Sequence, residues 1–457
     1  MVQQQGRCPS AMRDSLRRNL AMLAFVLLCS FGTLSAAWQM RDWGDALSPV
    51  DAFSEANAIR EARNFLDTGI ATNAGLGNVM RPGPYPGEGF QGHPELAAPS
   101  VTPSGVYTHY PPGPEYLLYA AMRLLGPDSV SRLRILPLAI TWGAAVFFGL
   151  SLRRRFGTPV ATLVMLACAG SPMFSDADPF LHYDGYAFAL LLVEIGVCVG
   201  RNATVLPFLM LGFLQGWLSF DYAFLVALVP GATELAMARL GIGHTARLRL
   251  ALWRIVAAGG GFAFAHLLHF AQVCEFFGTF HAALQDFIHA ESLRSGDGAP
   301  IGLLQRTILT VCVLWYYVIG QYPIITFFWH PDAGIRDNWQ VFRFAGLTLG
   351  AWVVVLTPVF MAVRLVRRRQ LHPSAQQRLI DNDWLAMSLY GLVPCILWYV
   401  VMLYHALAHT HFLYRHLFFC FFLYALFCST ALVGEFLPAA AGARNAAARP
   451  LAEIPTS

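Results

Sequence analysis

Long apolar runs separated by short polar stretches organise this chain. Runs near 20–38, 132–152, 159–174, 185–200, 203–218, 222–238, 255–277, 384–404 and 413–433 hold few charges. Several reach the roughly 20 residues that a helix needs to cross a bilayer. A further run, Leu303 to Trp329, is interrupted by Gly320 and Pro323 and reads as a re-entrant or interfacial segment. The pattern predicts an all-α polytopic membrane protein of about 10 transmembrane helices, within a range of about 10–12.

One polar interval is much longer than the rest. Residues 39–131 separate the first two spans, and a loop of that length inside a compact protein is usually functional. Within it, Ala52, Ala56, Ile59, Ala62 and Leu66 form a helical apolar stripe ended by Gly69. Ser48 is positioned to cap that helix, with Pro49 in its first turn. The stretch from Asn73 to Pro103 is rich in Gly and Pro, lacks periodicity and reads as irregular. A second short helix is expected from Glu115 to Leu125, started by Pro114 and stopped by Gly126 and Pro127. Together the two would lie in the membrane plane as a roof over the bundle.

Composition supports the same class. The chain is 56% hydrophobic and 13% charged, against roughly 25% charged in a typical soluble domain, which excludes disorder and argues against a soluble enzyme. Basic residues gather at Arg13, Arg17 and Arg18, at Arg153 to Arg155, at Arg239, Arg247, Arg249 and Arg254, and at Arg364 with Arg367 to Arg369. Such clusters mark the cytoplasmic side, which puts both termini inside and the long loop outside. The organisation is then a cytoplasmic N-terminus over 1–19, one membrane domain over 20–433, and an Ala/Pro-rich cytoplasmic tail over 434–457 expected to be disordered. No Lys occurs, and Arg-only usage in an Ala-rich chain points to a high-GC bacterium and thus to its inner membrane. Net charge is only +4, which gives no sign of a nucleic-acid partner. Eight of the nine Cys lie in apolar runs, so neither a disulfide framework nor a Cys metal site is expected.

Candidate chemistry lies in the external loops. Asp51 and Glu55 are four residues apart on the predicted helix and share a face, available to a site at the membrane surface. They also fit a structural role, Asp51 in a capping box with Ser48 and Glu55 paired with an Arg. Asp184 opens a span after the acidic loop at 176–184, and Asp221 stands at an external turn. Farther on come His405, His409, His411, Arg415 and His416. His405 and His409 have the spacing of metal ligands, though His at a membrane boundary is commonly an anchor. Arg415 suits a lipid phosphate, or snorkels to headgroups. Glu194, Glu234, His266 and His269 fall within spans, where pairing inside the bundle is the simpler role.

The sequence Val106-Tyr107-Thr108-His109-Tyr110-Pro111-Pro112-Gly113-Pro114-Glu115 leads an aromatic and His segment through Pro-Pro into the second short helix. With Asp51 to Gly69, Tyr107 to Gly126, Arg132 to Pro137 and Arg153 to Gly157, the chain resembles the glycosyltransferase C superfamily. The likeness is to its protein O-mannosyltransferase and lipid A aminoarabinose transferase branch, and covers about the first third of the chain. The resemblance implies an inverting transfer of a sugar from a polyprenyl-phosphate donor to a lipid, glycan or protein acceptor at the external face, within the cell envelope. It further implies Asp51 as the general base and Asp184 as a second acidic residue of the site. Substrate contacts would come from Glu55, Tyr107, His109, Tyr110, His411 and Arg415. Two family positions differ. Tyr110 stands where a Lys usually precedes the Pro-Pro, and Trp217 to Tyr222 replaces a Lys-containing turn, so His109 and an Arg are the natural phosphate partners. No metal ligand set is assigned; the carboxylates and His residues would permit a divalent cation without requiring one. Two other functions fit a chain of this class: a transporter or flippase of lipid-linked sugars, and a polysaccharide polymerase or ligase. No convincing internal repeat of the transporter kind is present.

Overall fold

The computed structural model describes residues 9–49, 51–94, 101–169, 171–175, 181–200, 204–239, 248–295, 375–402 and 414–436. The expected re-entrant run at 303–329, the cluster from Arg364 to Arg369, the His405, His409 and His411 group, and most of the tail lie outside them. Among the described residues the chain is mostly helical and has no strand; one isolated bridge pairs Asn78 with Val106.

The principal helices are α1 (Pro9–Met40), α2 (Ala52–Thr68), α3 (Gly113–Leu125), α4 (Ile135–Phe156), α5 (Thr158–Ala169), α6 (Tyr183–Val199), α7 (Leu206–Leu218), α8 (Ala223–Arg239), α9 (Leu248–Phe277), α10 (Phe280–Ser295), α11 (Ala375–Val401) and α12 (Phe418–Phe436). Three stretches are long and apolar enough to cross a membrane: Arg13–Met40, Val130–Phe156 and Leu248–Phe277. Shorter apolar helices stand beside them at Thr158–Ala169, Leu206–Leu218, Leu389–Val401 and Arg415–Thr430. Only 39% of each long apolar window is buried by protein. Leu20, Leu23 and Leu27 on α1, Trp142 and Phe147 on α4, and Leu252, Trp253 and Val256 on α9 are exposed. Such patches on a soluble protein would aggregate; here they form a surface for lipid. The protein is therefore a membrane protein.

Helix α6 is the centre. Nearly all its residues are buried, from Tyr183 and Asp184 through Leu192 to Val199, and it packs against α4, α7 and α8. A helix that is apolar all round must be surrounded. Helices α7 and α9 approach each other closely through Gly212 and Gly216 on one and Gly261 on the other. A Cβ at any of the three would strike the partner backbone, at Ala258, Phe262 and Leu209. Small residues at such crossings let backbones meet where lipid supplies no hydrophobic drive.

The long loop folds largely as its pattern predicts, but neither Ser48 nor Pro49 has the place expected of it: Pro49 precedes the helix and does not lie in its first turn. Helix α2 begins at Ala52, and its N-cap is Asp51, whose carboxylate accepts the Ser54 N–H at 3.1 Å. Ser48 is not the cap. Its hydroxyl accepts the Asp51 N–H at 3.2 Å, while its own N–H is donated to Glu55 at 2.7 Å. These bonds hold the chain in a turn ahead of the helix, and Asp51 then satisfies one of the free N–H groups of its first turn. Gly69 and Gly126, with φ of +86° and +89°, end α2 and α3 in a backbone conformation that favours glycine. The two helices pack on each other through Ala58, Ile59 and Ala62 against Leu118, Ala121 and Met122. The described part of the intervening segment holds only a 3₁₀ turn at Thr72–Gly75 and one helical turn at Gly89–Gly92. It folds back on itself where Val79 N–H reaches Gly105 O and Tyr107 N–H reaches Gly77 O, both at 3.1 Å.

Candidate functional site

Two short polar turns carry the core of the site. At the start of α6 stands Tyr183-Asp184; between α7 and α8 stands Asp221-Tyr222. Their side chains exchange partners. The Tyr183 hydroxyl donates to Asp221, and the Tyr222 hydroxyl donates to Asp184 at 2.7 Å. All four residues are buried, so each carboxylate needs such donors to offset its lost hydration. Asp184 is not the N-cap of α6. It sits in the first turn, and its second oxygen lies 3.4 Å from the Arg415 guanidinium, itself buried over the ring of Phe188. Arg415 is thus inside the bundle end rather than among headgroups. Its neighbour His416 is fully buried against Tyr222.

The Tyr107 to Tyr110 segment is drawn into the same place. Tyr110 donates to Asp221 at 3.3 Å and stacks on Tyr183, with centroids 5.0 Å apart. From there a run of rings leads outward. Tyr110 stacks on Tyr107 at 6.1 Å, Tyr107 faces Phe90 at 5.9 Å, and Phe90 meets Phe53 edge-on at 4.8 Å. Phe53 lies in the first turn of α2, two residues after Asp51. An aromatic wall therefore joins the start of α2 to the buried carboxylates. Asp51 itself is 7% exposed, held by Ser54 and by the Ser48 turn. Glu55 is tied to Arg134, which also donates to Gly44 O and Ala46 O. At 3.0 Å this is a buried ion pair. Burial raises the Glu55 pKa, and the Arg134 charge and the Ser48 N–H only partly oppose it.

His109 faces another way. Its Nε2 is 3.8 Å from Asp286 on α10, whose other oxygen accepts the Thr108 hydroxyl at 2.7 Å. Burial tends to raise the Asp286 pKa, but the contacts with His109 and Thr108, together with the charges of His109 and His289, bring it below the ordinary value. His269 bonds Thr108 O through Nε2 at 2.9 Å, and with His266 it lines a cavity of about 20 Å³ beside His109 and Asp286. That is room for about one water molecule.

Of the residues singled out from sequence, Asp184, Tyr110 and Arg415 come together directly, and Tyr107 joins them through ring stacking. His109 is adjacent on the loop but paired with Asp286. Asp51 and Glu55 stand at the far end of the aromatic wall, and His411 lies outside the described residues. Glu234 pairs with Arg254 at 3.0 Å. The sequence reading missed Tyr183, Tyr222, Asp286 and Arg134. One signal was available for the first two, the mirrored Tyr-Asp and Asp-Tyr dipeptides at two turns between apolar runs. Asp286 had none, since its partners are 178 residues away in the case of Thr108.

Among the described residues no group of three or more His, Cys, Asp or Glu side chains is arranged to hold a metal ion. Family models, curated proteins and solved structures were all compared with the chain, and none matches it.

Proposed function

We propose that this protein is an integral-membrane glycosyltransferase of about ten spans. It would move a sugar from a polyprenyl-phosphate donor to an acceptor at the external face of a bacterial inner membrane. The observation that carries the reading is the gathering of Asp184, Asp221, Tyr110, Tyr183, Tyr222 and Arg415 at one end of the bundle. The Arg153 to Arg155 cluster closes the other end of α4, and Arg239 the other end of α8. Charge asymmetry of that kind supports reading the carboxylate end as external.

In this scheme Asp51 takes the proton of the acceptor hydroxyl as its oxygen attacks the anomeric carbon. The new glycosidic bond forms as the bond from that carbon to the phosphate oxygen breaks, with inversion, and the electron pair leaves on the polyprenyl phosphate. In this reading Arg415 and His109 would leave Asp184 and Asp286 to meet that anion. The aromatic wall from Phe53 to Tyr183 offers faces against which a sugar ring packs, as in other concave sites lined by aromatic side chains with few polar groups.

The test incubates purified full-length protein with a panel of polyprenyl-phosphate sugars and measures release of the carrier phosphate. At least one donor is expected to be consumed by wild type and left intact by Asp51→Asn, with both proteins eluting identically from gel filtration. Full turnover by Asp51→Asn would remove Asp51 as base. Failure of the whole panel would remove the donor class.

A further inference from the structure

Helix α10 directly follows the α9 span and is not itself among the helices long and apolar enough to cross a membrane. Gly278, with φ of +68°, turns the chain between them, and the Thr279 hydroxyl accepts the Ala282 N–H at 3.3 Å to start the new helix. Successive residues point about 100° apart around a helix, which divides α10 into three faces. Ala283, Asp286 and Ala290 form the face turned to the protein. Both alanines are buried, and Asp286 accepts the Thr108 hydroxyl at 2.7 Å. Phe280, Leu284, Phe287 and Ile288 share a second face, on which Phe280 is 65%, Phe287 44% and Ile288 57% exposed. His281, Gln285 and His289 make a third face, polar and exposed.

An apolar face left open beside a polar one calls for an apolar partner. Continuity identifies it. Phe264, Leu267 and Leu268 on α9 belong to the exposed apolar surface of that span. Next to Leu267 on the following turn, Phe270 meets Phe280 and Phe287 of α10 edge-on, with centroids 5.5 and 6.1 Å away. The lipid-facing surface of the span thus passes through this ring cluster onto α10. We infer that α10 is an interfacial helix docked on the bilayer surface, with the face of Phe280, Leu284, Phe287 and Ile288 set among phospholipid chains and that of His281, Gln285 and His289 toward water. Helices with such faces sink their apolar side about 5–10 Å into the boundary of headgroups and acyl chains. Because Asp286 on the protein face holds Thr108 and approaches His109, this docking fixes their stretch of the loop at the level of the headgroups. Lipid contact of α10 does not depend on the proposed transfer and stands or falls separately from it.

The experiment places the photo-crosslinker p-benzoylphenylalanine singly at Phe280, Ile288, Gln285 or His289 of the full-length protein, reconstituted in phosphatidylcholine vesicles. Phe280 and Ile288 are the most exposed residues of the apolar face, so the label displaces little packing there. After illumination, the intact chains are weighed by mass spectrometry. Labels at Phe280 and Ile288 should each give a chain heavier by one phospholipid, and labels at Gln285 and His289 little or none. A second measurement needs no variant: unaltered protein in vesicles containing a phospholipid with a diazirine on its acyl chain should be labelled on the peptide that holds Phe287 and Ile288. Equal lipid yields from all four positions, or crosslinks from the apolar positions to a second chain or to another segment of the same chain in place of lipid, would overturn the inference. So would an unlabelled α10 peptide in the diazirine vesicles.

Discussion

The carboxylates of the first loop and those of the bundle end are held by opposite means. Asp51 and Glu55 take partners from their own loop and the start of the adjoining span: Ser48, Ser54 and Arg134. Asp184 and Asp221 take theirs from turns far apart in the chain, each receiving a tyrosine hydroxyl 38 residues away, with Arg415 added to Asp184. The first arrangement needs only a local turn and one helix end. The second exists only once α6, α8 and the segment before α12 have assembled. Loss of one partner should therefore be felt locally in the loop and globally at the bundle end.

The strongest way to break that contrast is Asp184→Ala. It leaves Arg415 buried without its counter-charge and Tyr222 without its acceptor, and breaking a buried pair typically costs about 3–5 kcal/mol. Thermal unfolding in detergent should show the loss as one cooperative shift. A shift confined to a small fraction of the signal would mean that the bundle end is not integral to the fold.

Next in size are Tyr183→Phe and Tyr222→Phe, each removing one hydrogen bond to a carboxylate, worth about 1.5–3 kcal/mol. Because the two bonds link the same pair of turns, the double variant should lose measurably less or more than the sum, by at least about 0.5 kcal/mol. Strict additivity would show that the two crossed bonds are independent and that the turns are fixed by something else.

A smaller effect comes from pH. Burial lifts the Glu115 carboxyl to about 7 from its ordinary 4.5. A carboxyl with a raised folded value holds a proton that the unfolded chain has released, so its contribution is complete below about 4.5 and disappears as pH rises through about 7. The unfolding temperature should fall between pH 5.5 and 8 by a few degrees, and Glu115→Gln combined with Glu61→Gln, whose carboxyl burial also raises, should flatten the decline. A decline of the same slope in that variant would assign the pH response to another group.

The same contrast explains what could be read from the residues. Stripe, capping and glycine signals located α2 to within three residues and α3 to within two, because they depend on neighbours in sequence. Glu55 was expected to meet an Arg, and Arg134 is that residue. Ser48 was misplaced as the cap because its hydroxyl and N–H serve the preceding turn, a choice settled by Glu55 seven residues on. The membrane class followed from the long apolar runs and the low charge, and the exposed apolar faces of α1, α4 and α9 agree with it. The crossing of α7 and α9 was hidden, since glycines inside an apolar run resemble any other small residues until a partner backbone meets them. Hidden too was Asp286, on a helix whose sequence gives no hint that it will meet Thr108 and His109.

The smallest stability effect should come from Asp51, and it separates two roles that one residue performs. As an N-cap, Asp51 contributes through one hydrogen bond to Ser54 N–H. Asn caps helices about as well as Asp, whereas Ala loses about 0.5–2 kcal/mol. Asp51→Asn should accordingly unfold within about a degree of wild type, and Asp51→Ala a few degrees lower. If Asp51 also removes the acceptor proton, both variants should lose transfer by about 10²–10⁴, because neither side chain can act as a base. Transfer that follows stability, lost in the Ala variant and kept in the Asn variant, would make Asp51 a cap alone. The loop carboxylate would then be purely local, and the chemistry would have to come from the crossed pair at the bundle end.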